Sequence, residues 1–204
     1  MTVKELSETA GVSGAAQALV KEDSTPSTYL DSLEKQELYQ DAIRFLAYKL
    51  PIDAGIKWSS ACVKELRAPA GKDQPTGKDQ PAVKNPPAGK DPAAAKDQKE
   101  EKDEPLEAAD QWIKAPGDPT RWAAKEAADN AKKSGPSKLT AMAVFMSGGS
   151  MTPAGAPVTP PPQYLAQKMI ASSVLVAVVS HNPQKSTERY KKALALGKKL
   201  DGGG

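Results

Sequence analysis

The sequence predicts an all-α fold: a compact multi-helix domain of helical hairpins, interrupted by a long disordered Lys/Asp/Pro-rich hexapeptide-repeat linker. Three observations carry this. Apolar residues recur at three- and four-residue spacing in window after window, the period of a helix with one buried face. Prolines stand at the head of those windows, where a missing N–H costs nothing, and Thr25, Asp118 and Asn182 precede three of them as N-caps. Between the two helical regions lysine falls at Lys72, Lys78, Lys84, Lys90, Lys96 and Lys102, with almost nothing apolar to bury. The regions so defined are 1–68, a linker 69–105, and 106–204, and the two helical halves are expected to pack as one domain.

Met1 to Asp23 reads as two short helices broken at Gly11–Gly14, with Ala15, Ala16 and Leu19 on the apolar side of the second. Pro26 opens a helix to about Lys35 with Tyr29, Leu30 and Leu33 inward. In ELYQDAIRFLAYKLP, Leu38, Ala42, Phe45, Leu46 and Leu50 share a face that Tyr39 and Ile43 widen, with Asp41 and Arg44 paired on the polar side. Pro51 stops that helix and starts the next, where Ala54, Trp58, Ala61, Cys62 and Leu66 align; so short a connection forces a hairpin or a sharp corner.

The tract after Gly71 lacks the aliphatic stack of a β-helix, the glycine period of collagen and the heptads of a coiled coil. Its Pro, Gly, Ala, Lys and Asp cannot bury enough to fold. From Gly71 to Pro105 seven lysines face eight acids, so its cations are compensated and counterion release onto a nucleic acid gains little.

Beyond the tract, Leu106, Ala109 and Ile113 mark a short helix with Trp112 near its edge. Asp118 caps a helix with Trp122, Ala123 and Ala127 inward, ended by Gly135 and Pro136. Ser137 caps another, with Leu139, Met142, Ala143 and Met146 inward, stopped at Gly148–Gly149. SMTPAGAPVTPPP has no periodicity and reads as a loop. Tyr164 to Ser180 is apolar on most sides and is expected to be central. The last helix runs from Pro183 to near Leu200 with Tyr190, Ala193, Leu194 and Gly197 inward.

Composition narrows the chemistry. One cysteine, Cys62, gives no disulfide within the chain, and with a single histidine, His181, argues against a metal site or a Cys–His nucleophile. No phosphate loop, nucleophile elbow, zinc spacing or dinucleotide fingerprint is present, so no catalytic residue, cofactor or metal is assigned. MTVKELSETAGVSG lacks the apolar core of a signal peptide, and Val174–Val179 is too short to span a membrane, so the expected location is cytoplasmic. Ser147-Gly148-Gly149-Ser150 reads as a helix stop rather than an anion-binding turn, Cys62 as a buried inert thiol, the three tryptophans as core anchors and His181 as a capping or solvated residue.

DAIRFLAYKLP, WSSAC and MSGGSMTPAGAPVTPPP followed by an apolar helix resemble an uncharacterised bacterial family, domain of unknown function 6931, over about residues 5–67 and 105–200. Against that family's pattern, Lys57–Trp58 stands where paired tryptophans are usual and Met146 where a tryptophan is common, and the tract looks like an insertion. The resemblance implies no activity and carries over no catalytic residue; it implies only an association of some members with type VI secretion genes.

The expected function is therefore that of a non-catalytic protein-interaction or accessory protein. Its candidate contact residues are Pro153, Pro157, Pro160, Pro161 and Pro162, a preorganised surface of the kind partner proteins read. The opposing expectation for that loop is a rigid strap packed across the helices. Two other function classes stand beside this one: an enzyme without a recognisable motif, and a nucleic-acid binder acting through the basic Lys185–Lys199 helix.

Overall fold

The computed structural model describes residues 1–67, 102–180 and 183–201. The repeat tract falls outside the described residues, as do His181 and Asn182. Among the described residues every regular element is helical: α1 (Val3–Ala10), α2 (Gly14–Gln17), α3 (Pro26–Lys35), α4 (Tyr39–Lys49), α5 (Ile52–Leu66), α6 (Glu104–Lys114), α7 (Asp118–Asn130), α8 (Pro136–Phe145), α9 (Leu165–Val179) and α10 (Ser186–Asp201), the last preceded by a 3-10 turn at Pro183–Lys185.

At α3 the proline and the hydroxyl act where the sequence put them. Thr25 caps α3 through its side chain, taking the Thr28 N–H while Thr28 returns a bond to the Thr25 N–H, with Pro26 in the first turn. At Pro51 the chain turns a corner instead of closing a hairpin: α4 and α5 lean little on each other, and both pack on α9 and α10. Helix α9 is central, touching α4, α5, α8 and α10. Hairpin packing does join α3 to α4, α6 to α7, α7 to α8 and α8 to α9.

Two close approaches position α10. The Trp58 indole, with no exposed surface, donates from Nε1 to the Ala193 carbonyl at 2.8 Å. One turn on, Gly197 lies so near that a Cβ there would meet Leu46 at 2.6 Å and the Trp58 ring at 2.8 Å. The Arg189 guanidinium then gathers the last carbonyls of two helices, Leu66 of α5 and Ala177 and Val178 of α9.

Three buried hydroxyls lock α5, α8 and α9 together. Ser59 contacts Thr140 at 2.7 Å, Thr140 contacts Ser173 at 2.9 Å, and Ser173 donates to the Pro136 carbonyl at 2.7 Å. All three are fully buried, so each bond is made away from competing water.

Several sequence expectations are corrected. In α7 the buried stripe is Arg121, Ala124 and Ala128; Trp122 and Ala127 are half-buried and Ala123 is exposed. In α8 it is Thr140, Ala141, Ala143, Val144 and Phe145, because the helix is covered from both sides by α7 and α9. Gly117 and Gly135, not Asp118 and Ser137, hold the N-cap positions of α7 and α8, since both side chains are used elsewhere. Ala15 faces solvent. Asp41 is not on a solvated face: it is 6 % exposed and accepts from the Ser13 N–H and hydroxyl at 2.9 and 2.7 Å, fastening the α1–α2 joint to α4.

The C-terminal boundary of the linker also moves. Asp103 is the N-cap of α6, Glu104 and Pro105 are helical, and Pro105 is buried. Asp103 also receives the Ser137 hydroxyl and pairs with Arg67 at 2.5 Å, so the chain leaves and re-enters at one point. Removing residues 72–100 is therefore expected to change the unfolding free energy by less than about 1 kcal/mol or to raise it, because closure entropy varies by only about 0.6 kcal/mol per doubling of length. Urea titration of the shortened chain checks this, and a loss of several kcal/mol would show that the segment stabilises the helices.

Candidate functional site

The strongest site candidate is built on the end of α8. An α-helix leaves its last carbonyls unpaired, and here a buried arginine from α7 takes one of them. Arg121, 4 % exposed, donates from Nη1 to the Phe145 carbonyl at 2.9 Å and from Nη2 to the Ser150 carbonyl at 2.8 Å. Its remaining edge is forked onto Asp118 Oδ1, and its Cζ lies 4.9 Å from the Phe145 ring centre. The end of α8 and the Ser147–Ser150 turn thus each present a carbonyl to a cation, the opposite polarity from an anion-binding nest. Gly149 is required twice: its φ of 68° is left-handed, and a Cβ would sit 2.9 Å from the Arg121 guanidinium.

From that base the loop 151–162 projects outward, tied by its own groups. Met151 N–H donates to the Thr159 carbonyl at 2.8 Å, and Thr159 N–H donates to Ser150 Oγ at 3.1 Å. The Thr152 hydroxyl donates to the Pro157 carbonyl at 2.6 Å. At the far end Leu165 N–H donates to the Pro162 carbonyl, and the Tyr164 ring packs on Tyr48 with centroids 5.7 Å apart.

Of the sequence-predicted contact residues, Pro153, Pro157, Pro160 and Pro162 are exposed and Pro161 is half-buried. Val158, at 80 % exposure, is the most exposed large apolar side chain among the described residues. Sequence reasoning missed Arg121, the residue that fixes the base. Its signal was present: it shares a stripe with Ala124 and Ala128, at helical spacing, and so lies on the inner face of α7.

The other candidates stay structural. Two cations of the basic α10 are paired within the chain: Lys192 with Glu65, and Lys198 with Asp31 and Glu34. Lys49 of α4 pairs with Asp201 at its end. No group of three or more His, Cys, Asp or Glu among the described residues could hold a metal ion, and no described helix is long and apolar enough to cross a membrane. The Cys62 thiol is fully buried, and burial pushes its pKa up to about 12. Burial, with a smaller contribution from the Asp41 charge, likewise raises Tyr29 to about 12.

Both groups keep in the fold a proton that the unfolded chain releases at lower pH. Stability is therefore fully present below about pH 8.5, the ordinary thiol value, and is lost as pH rises through about 9 to 12. Denaturant midpoints between pH 7 and 10.5 are expected to fall above pH 9, and a Cys62→Ser variant to show a shallower fall. A flat profile would contradict the burial of both groups.

A family model described as Family of unknown function (DUF6931) matches residues 29–85 and 88–200, and the chain belongs to that family. The match begins at Tyr29, further along than the resemblance read near residue 5. No curated protein and no solved structure matches the chain.

Proposed function

We propose that this protein is a non-catalytic interaction protein that binds another protein through the loop 151–162. One observation carries the reading: four prolines and Val158 stand exposed on a loop whose base is held by a buried arginine. A loop that served only as a strap would bury its prolines against the helices. This one spends its hydrogen bonds on holding its own shape, which lowers the ordering cost of association. The pairing of Lys192 and Lys198 within the chain also weighs for protein over nucleic acid as the partner, since phosphate binding draws on uncompensated cations. The association of some family members with type VI secretion genes makes a component of such a machine one partner to test.

A photo-crosslinking residue in place of Val158 is expected to form adducts in a native cell extract. The same residue in place of exposed Lys57 on α5 serves as the control. Replacing Pro160, Pro161 and Pro162 with alanine is expected to remove the adducts while leaving helical circular dichroism unchanged. If position 158 reacts no more than position 57, the contact surface lies elsewhere. If the triple variant unfolds, the loop is a strap.

A further inference from the structure

The chemistry of the loop narrows what can bind it. Pro160, Pro161 and Pro162 each have φ fixed near −65° by the ring, and Thr159, Pro160 and Pro161 each precede a proline, which drives their ψ to extended values. Only the polyproline II conformation satisfies both restrictions at Pro160 and Pro161, so that stretch is set by covalent structure. Within that stretch Pro160 is exposed and Pro161 half-buried, and Pro162, which closes it, is exposed, so Pro160 and Pro162 are the prolines it turns outward. The Thr159 backbone is turned to the opposite limb of the loop, its N–H bonded to Ser150 Oγ and its carbonyl to the Met151 N–H.

Other modes of peptide recognition fail on this segment. Addition to a sheet edge needs alternating N–H donors, but between Pro157 and Pro162 only Val158 and Thr159 carry an N–H, and that of Thr159 is taken. Helix-in-groove binding is closed by three successive prolines. Charge steering is absent too, since residues 139–167 contain no Asp, Glu, Lys or Arg.

We propose that the partner is a folded domain with a groove lined by aromatic side chains, which reads the exposed Pro160 and Pro162 of the polyproline II stretch without charge complementarity. This rests on the loop being a contact surface. The test is the full chain carrying the crosslinker at position 158 in native extract, with excess decaproline peptide as competitor and an Ala/Ser decapeptide as control.

The expected result is loss of the adduct with decaproline and not with the control. The adduct is also expected to persist at about 1 M salt, where charges are screened beyond about 3 Å. Pro160→Ala with Pro162→Ala is expected to lose the adduct, whereas Pro153→Ala keeps it. An adduct indifferent to decaproline, or to the Pro160/Pro162 pair, overturns the aromatic groove while leaving the contact surface standing. An adduct dispersed by salt overturns the uncharged mode of recognition. No adduct above the position-57 control removes both proposals.

Discussion

Trp58→Ala is expected to lower the unfolding free energy by about 3–5 kcal/mol, the range for removing a large aromatic from a packed core. The side chain is fully buried and fills the notch that Gly197 leaves in α10. Alanine opens a cavity between α5 and α10 that neither backbone can collapse into, because α5 is also held to α8 and α9 by Ser59 and its bonded partners. The Ala193 carbonyl also loses its indole donor. Trp58→Phe isolates part of this: it keeps most of the volume, removes the donor, and is expected to cost about 1–3 kcal/mol. Hydrogen exchange should show α10 losing protection before α4 in both variants. A total loss under about 1 kcal/mol for the alanine variant would contradict the packing described.

Arg121→Met carries the second-largest expected effect, about 2–4 kcal/mol, with a consequence for the loop as well. Methionine fills much of the same space but leaves the buried Phe145 carbonyl without its donor, at about 1–3 kcal/mol, and the part-buried Ser150 carbonyl without its own at a smaller cost. Two terms temper the sum. A buried charge is no longer desolvated, and Asp118, whose side chain is 65 % exposed, stays solvated when its partner goes. Arg121→Lys is not expected to restore stability, since one ammonium cannot span both carbonyls and the Asp118 carboxylate. The loop loses its base, so limited proteolysis between 151 and 160 should accelerate in both variants. Unchanged stability together with an equally resistant loop would contradict the role given to Arg121.

These two residues mark where sequence reading succeeds and where it stops. Trp58 was legible because a large aromatic at helical spacing has few places to go but inward, and the same logic placed Tyr190, Ala193, Leu194 and Gly197 on the buried face of α10. Arg121 was not legible by hydropathy, which sends a cation to the surface; only the match of its donors to two distant backbone carbonyls and to Asp118 makes burial favourable. Asp41 misled for the same reason, because its partners on Ser13 lie 28 residues away. In α8 the period itself fades, since a helix covered on two sides has no single face to mark. The proline loop was visible as a break in periodicity, but the cross-bonds of Ser150, Thr152 and Thr159 that shape it depend on contacts no local pattern encodes.

The hydroxyl chain through α5, α8 and α9 has a direction. Each hydroxyl owns one proton, and a carbonyl owns none. Both Ser173, at 2.7 Å, and Thr140, at 3.1 Å, reach the Pro136 carbonyl; with the Ser173 proton on the shorter contact, the contact between Thr140 and Ser173 draws on the proton of Thr140, and that between Ser59 and Thr140 on the proton of Ser59. The chain therefore has a head at Ser59 and a tail at the Pro136 carbonyl, and its members are not equivalent under drift. Alanine at the head removes a donor and strands nothing. Valine in place of Thr140, though nearly the same shape, leaves the Ser59 proton buried without an acceptor. Tolerance to substitution should follow this polarity rather than burial, which is the same at all three positions.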